Sequence, residues 1–92
     1  MKRKLKIFII EDGESILELY QIVFKEKGHK VRAFTHGKEA LKEAESIVPD
    51  AALVDISLPD ISGTEVLKAF KKKNIPVFII TNHVKETLRE LV

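Results

Sequence analysis

The chain contains no cysteine. Disulfides and thiolate metal sites are therefore excluded, and the reading is cytosolic. No apolar run approaches the length needed to span a bilayer, so no membrane helix is expected. A basic start, Met1-Lys2-Arg3-Lys4, precedes an apolar run, as in a signal peptide. However, Ile7 to Ile10 is too short for the apolar region of such a peptide. Glu11-Asp12 also stands where a small-residue cleavage site would be needed, so the run reads as a strand. An excess of one charge is missing too: 16 basic and 14 acidic residues leave a net charge of +2, too balanced to argue for direct contact with nucleic acid. The run Lys71-Lys72-Lys73 reads instead as the solvated end of a helix, where cations suit the helix dipole. No internal repeat, linker or low-complexity stretch suggests a boundary, and residues 1–92 are expected to form one domain.

What is present is a globular balance, 45% hydrophobic and 33% charged, arranged as apolar runs alternating with helical periods. Leu5 to Ile10 is mostly apolar and β-branched, as expected of a strand buried on both faces. Asp12 to Ser15 are turn and helix-start residues, and Ile16, Leu19, Tyr20, Val23 and Phe24 then recur at helical spacing until Gly28 stops the helix. His29 to Phe34 alternates more and suits an edge strand. Gly37 opens a second helix with the stripe Ala40, Leu41, Ala44, Ile47 and Val48, closed by Pro49. Ala51 to Ile56 is a third strand, and Leu58 to Gly63 a loop. Ser62 or Thr64 caps a third helix carrying Val66, Leu67 and Phe70, which Asn74 and Pro76 end. Val77 to Ile80 is a fourth strand, and Val84, Leu88 and Leu91 begin a fourth helix. Strands separated by helices imply an α/β fold with an open parallel sheet and right-handed crossovers.

In such a sheet, ligands bind beyond the carboxyl ends of the strands, near the point where strand order reverses. That rule selects Glu11, Asp12, Thr35, His36, Asp55, Ser57, Thr81, Asn82 and His83. Three of them, Glu11, Asp12 and Asp55, are carboxylates. Carboxylates close together repel unless something positive sits between them, and a hard divalent cation such as Mg²⁺ takes oxygen ligands of this kind. The loop Glu11-Asp12-Gly13-Glu14 lacks the glycine-rich phosphate cradle of a flavin or dinucleotide site and would repel a bare phosphate. Asp12 has a simpler reading as the cap of the first helix. Asp55 resists a bland one, because an acid within Ala51-Ala52-Leu53-Val54-Asp55-Ile56 costs desolvation unless it is paired or reaches the strand end. Thr81 reads equally as an ordinary strand former. His29, His36 and His83 are scattered singly and read as surface or cap residues, and Lys85, Glu86 and Arg89 as a solvated helix face.

The acidic pair after strand one, Asp55-Ile56-Ser57-Leu58-Pro59-Asp60-Ile61-Ser62-Gly63 after strand three, and Ile80-Thr81 after strand four together resemble the receiver domain of two-component response regulators. The Asp-x-x-Leu-Pro-x-x-Ser-Gly stretch is the most specific part, and the resemblance covers the whole chain. It implies a flavodoxin-like sheet of order 2-1-3-4, with Asp55 as phosphoacceptor and Thr81 contacting the phosphoryl group and acting as the switch. It further implies Mg²⁺ held by Glu11, Asp12, Asp55 and the Ser57 backbone carbonyl. Pro59 and Gly63 would shape the loop beside the site. The phosphoryl donor would be a sensor histidine kinase or a phosphotransfer protein, and the domain would be a substrate for phosphorylation, not an enzyme.

A family receiver has five strands and five helices, whereas this sequence reaches only the fourth helix. The expectation is a receiver lacking the fifth strand and helix, and with them the family lysine and switch aromatic; Lys85 falls in the wrong element. The edge of strand four and the sheet face beside the first helix would then be uncovered, which leads us to expect a homo-oligomer built on those surfaces. On that view the alternative function is a degenerate receiver serving as a dimerisation or docking module.

Overall fold

A computed structural model describes residues 3–81 and 90–91. Four strands and three helices alternate in it: β1 (Lys6–Ile10), α1 (Glu14–Glu26), β2 (Lys30–Phe34), α2 (Gly37–Glu43), β3 (Ala51–Asp55), α3 (Gly63–Lys72) and β4 (Val77–Ile80). All three strand pairings are parallel, and the spatial order is β2-β1-β3-β4. The fold is the expected flavodoxin-like one. Strand order reverses between β1 and β3, so the two central strands flank the switch point of the sheet.

Burial explains the strand positions. Ile7 to Ile10 are all buried, as a central strand covered on both faces requires. β2 alternates exposed and half-buried residues from Lys30 to Ala33 and ends on the buried Phe34, in keeping with its place at the edge. The larger core joins Phe8, Ile10, Phe34, Ala52 and Val54 of the sheet to Ala40 and Ala44 from the α2 segment and to Val66 and Phe70 of α3. Phe8 lies at its centre, with ring centroids 5.0 Å from Phe34 and 6.4 Å from Phe70. On the opposite face, Ile7, Ile9 and Leu17 form a smaller cluster, with Tyr20, Phe24 and Leu53 packed against it.

The C-terminal ends of α1 and α3, and the start of α3, follow the sequence signals. After α1, Gly28 takes φ +89°, its N–H reaches the Lys25 carbonyl at 2.9 Å and the His29 N–H reaches the Phe24 carbonyl at 3.1 Å. That is a Schellman closure, with glycine at the left-handed position. Asn74 takes the same role after α3 at φ 59°, with Asn74 and Ile75 N–H groups bonded to Lys71 and Phe70 carbonyls. Of the two candidate caps for α3, Ser62 performs it, its Oγ accepting the Glu65 N–H at 3.3 Å.

Two helices differ from expectation. The buried side of α1 is turned toward Ile16 and Leu17, so Val23 is exposed and Leu19, Tyr20 and Phe24 are half-buried. α2 ends at Glu43, well before Pro49; a turn carries the chain on, with the Ile47 N–H bonded to the Glu43 carbonyl and Ala44 and Ile47 still facing the core, and Val48 is exposed. The fourth helix, expected on Val84 and Leu88, lies outside the described residues, as do Asn82, His83, Lys85, Glu86 and Arg89. Among the described residues, no helix is long and apolar enough to cross a membrane.

Candidate metal and phosphoryl site

β1 delivers the first acid. Its ladder to β2 continues one residue past the strand, where the Glu11 N–H donates to the Phe34 carbonyl at 2.9 Å. Glu11 is completely buried, and its Oε2 accepts the Gly13 N–H at 2.7 Å, which folds the side chain back over the turn into α1. Asp12 is exposed at the mouth of this turn. It does not cap α1: the N-cap position is Gly13, which supplies no side-chain bond. The simpler reading of Asp12 is thereby removed.

β3 delivers the third acid. Asp55 is its last residue, lies in register with Ile80 of β4, and is completely buried. Its Oδ1 accepts the Ser57 N–H at 3.1 Å. The chain then makes a closed loop: Ser57 and Ser62 bridge antiparallel, and the Gly63 N–H returns to the Ile56 carbonyl at 2.9 Å. Gly63 passes so close over Asp55 and Ile56 that a methyl group there would overlap the Asp55 carbonyl oxygen and lie 2.7 Å from the Ile56 Cα. Only glycine fits that crossing.

Glu11, Asp12 and Asp55 converge, each offering one carboxylate oxygen, with these oxygens within 4.8 Å of one another. At that spacing, each pair of ionised carboxylates repels by on the order of 3 kcal/mol for an effective dielectric of about 20. The donor set, all hard oxygen and gathered at strand ends, fits Mg²⁺ or a similar divalent cation, which would offset this repulsion.

The other residues selected from the sequence are placed as follows. Thr81 is exposed directly beyond the end of β4, one residue past the partner of Asp55. Thr35 and His36 follow β2, with Thr35 Oγ1 and His36 Nδ1 2.9 Å apart and His36 Nδ1 3.8 Å from Glu39. They are not among the residues of the acidic cluster. His29 is half-buried, and its Nδ1 accepts the Leu5 N–H at 3.1 Å, so its side chain ties the end of α1 to the start of β1 and caps no helix.

Asp60 received no role from the sequence beyond its place in the motif. Its Oδ1 accepts the Gly37 N–H and its Oδ2 the Lys38 N–H, each at 2.9 Å. Burial pushes this carboxyl up, but the amides of Lys38, Gly37, Ile61 and Asp60 itself more than offset that, and it sits below its ordinary value. The contact spans 23 residues, so no local pattern announces it.

Residues 7–91 match the family model described as the response regulator receiver domain. The chain is 36% identical over 78 residues to the alkaline phosphatase synthesis transcriptional regulatory protein PhoP of Bacillus subtilis, covering 83% of this chain and 32% of that one. It is 35% identical over 79 residues to the polar-differentiation response regulator DivK of Brucella anthropi, covering 82% of this chain and 64% of that one. The chain thus spans about a third of the length of the first relative and under two thirds of the second. Among solved structures, the receiver domain of a modulated diguanylate cyclase from Desulfovibrio desulfuricans G20 superposes with a TM-score of 0.81 at 32% identity, covering 86% of this chain and 65% of that one. A CheY-like receiver domain protein from Methanospirillum hungatei JF-1 gives 0.80 at 31% identity, covering 86% and 65%.

Proposed function

The chain belongs to the response regulator receiver family, and from that membership we propose that it accepts a phosphoryl group on Asp55 from the phosphohistidine of a sensor histidine kinase or phosphotransfer protein. The observation that carries the proposal is the convergence of Glu11 and Asp12 on Asp55 at the carboxyl end of the sheet. A lone buried acid would be a liability, whereas three oxygen donors within 4.8 Å suit a cation that a phosphoryl transfer requires.

Glu11, Asp12, Asp55 and the Ser57 backbone carbonyl would hold Mg²⁺. When bound, the ion neutralises negative charge on the transferring phosphoryl oxygens. The protein's own groups do the rest. A carboxylate oxygen of Asp55 attacks phosphorus, a P–O bond forms, and the P–N bond of the donor breaks. The electron pair leaves with the imidazole, which takes up a proton. The Ser57 amide, bonded to Asp55 Oδ1 at 3.1 Å, orients the carboxylate. Thr81, beyond β4, would contact the phosphoryl group and report its arrival. In this role the domain is a self-modifying substrate and a signalling module, not a conventional enzyme.

The test is intact-mass measurement after incubation with Mg²⁺ and a small phosphodonor. One added phosphoryl group is expected for the wild type and none for Asp55→Asn; an unmodified wild type rejects the proposal.

One observation favours a second reading, a degenerate receiver acting as a dimerisation or docking module. Phe78 of β4 is 62% exposed, beside a recess of about 390 Å³ lined by Leu5, Ile7, Phe24 and Leu53. Self-association through β4 and this face would be independent of Mg²⁺. It would be lost in Phe78→Lys and kept in Asp55→Asn; sedimentation of the two variants separates the readings.

A further inference from the structure

We infer that Asp60 is a positioning residue: its carboxylate clamps the tip of the 56–63 loop onto the first turn of α2, and through that loop fixes the Ser57 amide against Asp55. Its consequence for phosphorylation rests on the phosphoacceptor reading of Asp55; its structural content does not.

The first N–H groups of a helix have no partner within the helix. α2 is short, and its N-cap residue, His36, supplies no side-chain bond. Asp60 fills that gap from a different element, one carboxylate oxygen on each of two successive amides, both at 2.9 Å. Ionised acceptors make the stronger class of hydrogen bond, and a bidentate pair also fixes orientation. Carboxamide chemistry cannot reproduce this, because one end of an asparagine side chain is a donor and would face an N–H.

The clamp is backed by packing. A Cβ added at Gly37 would lie 2.6 Å from Cγ1 of Ile61, so the start of α2 sits flush on the residue after Asp60. Leu58 and Ile61 in turn pack against the larger core. Below the tip, the Ser57–Ser62 bridge and the Gly63-to-Ile56 bond make the loop a closed unit. Ser57 belongs to that unit, and its N–H is the group on Asp55 Oδ1. A displacement at the tip therefore reaches the acceptor carboxylate along the short backbone from Asp60 to Ser62, across the Ser57–Ser62 bridge and through the Ser57 N–H on Asp55 Oδ1. Reciprocally, a group added to Asp55 bears on the first turn of α2.

The test is amide hydrogen exchange on the full chain, comparing the wild type with Asp60→Asn, Asp60→Ala and the distant control Asn74→Ala. Losing bonds to a charged acceptor should speed exchange of the Gly37 and Lys38 amides by about tenfold or more in Asp60→Ala. The inference requires that Ser57 accelerate as well, more in Asp60→Ala than in Asp60→Asn, and not in Asn74→Ala. If Gly37 and Lys38 accelerate while Ser57 keeps its wild-type rate, the clamp is local to α2 and the inference is wrong. The same samples, given Mg²⁺ and a small phosphodonor, separate the two levels. A wild type that takes no phosphoryl group overturns the phosphoacceptor reading while Ser57 exchange still decides the clamp. A wild type that is phosphorylated no faster than Asp60→Ala overturns the functional half of the inference.

Discussion

Asp55 is a carboxylate at the last position of a strand whose neighbours are apolar, and it shares a small space with Glu11 and Asp12. Its cost is electrostatic, and the cost can be measured. Without divalent cation, Asp55→Asn should stabilise the fold by about 1–3 kcal/mol, since one charge leaves the cluster while the amide oxygen still accepts the Ser57 N–H. Urea unfolding reads this directly, and added Mg²⁺ should raise the midpoint of the wild type far more than that of the variant. Gly63 makes the opposite case. Alanine there would force the Asp55–Ile56 backbone aside and should cost about 1–3 kcal/mol or more. Asp60 adds a pH dependence. Its folded carboxyl lies below its ordinary value, so its contribution to stability is full above the unfolded value and fades as pH falls through the folded one. Acid unfolding of Asp60→Asn should accordingly show a shallower loss of stability below about pH 4 than the wild type.

At the scale of elements, the helix ends are where single residues decide most. Asn74 holds a left-handed conformation that favours glycine, so Asn74→Gly should be neutral or stabilising by up to about 1 kcal/mol, and Asn74→Ala destabilising by about the same amount. Thermal melts of the two variants should shift in opposite directions or, at the least, differ by that amount. These ends were legible because Gly28, Asn74 and Ser62 act within a few residues of themselves. The strands were legible for a related reason: an apolar run such as Ile7 to Ile10 has one way to be buried on both faces. The helix faces were read less well. Helical spacing in α1 admits a stripe through Val23 or one through Leu17, and only the sheet, through Ile7 and Ile9, selects the latter. In α2 the helix ends at Glu43 and a turn replaces its last expected turn, so Ala44 and Ile47 keep their places against the core but Val48 is exposed.

For the whole molecule, the site was legible because parallel topology sends Glu11, Asp12 and Asp55 to one end of the sheet, whatever the details of side-chain packing. The clamp from Asp60 was not, since it joins a loop to the first turn of α2, which only the finished fold brings together. Among the described residues, the fold also displays an apolar face around Phe78 on β4, the end strand of the sheet. The central claim, however, is that the acidic cluster exists to pass a phosphoryl group onto Asp55. Intact-mass spectrometry of the wild type and Asp55→Asn, each with Mg²⁺ and a small phosphodonor, tests it most directly. The account predicts one phosphoryl group on the wild type, absent without Mg²⁺ and absent from the variant. An unmodified wild type, or modification that persists in Asp55→Asn, would contradict it.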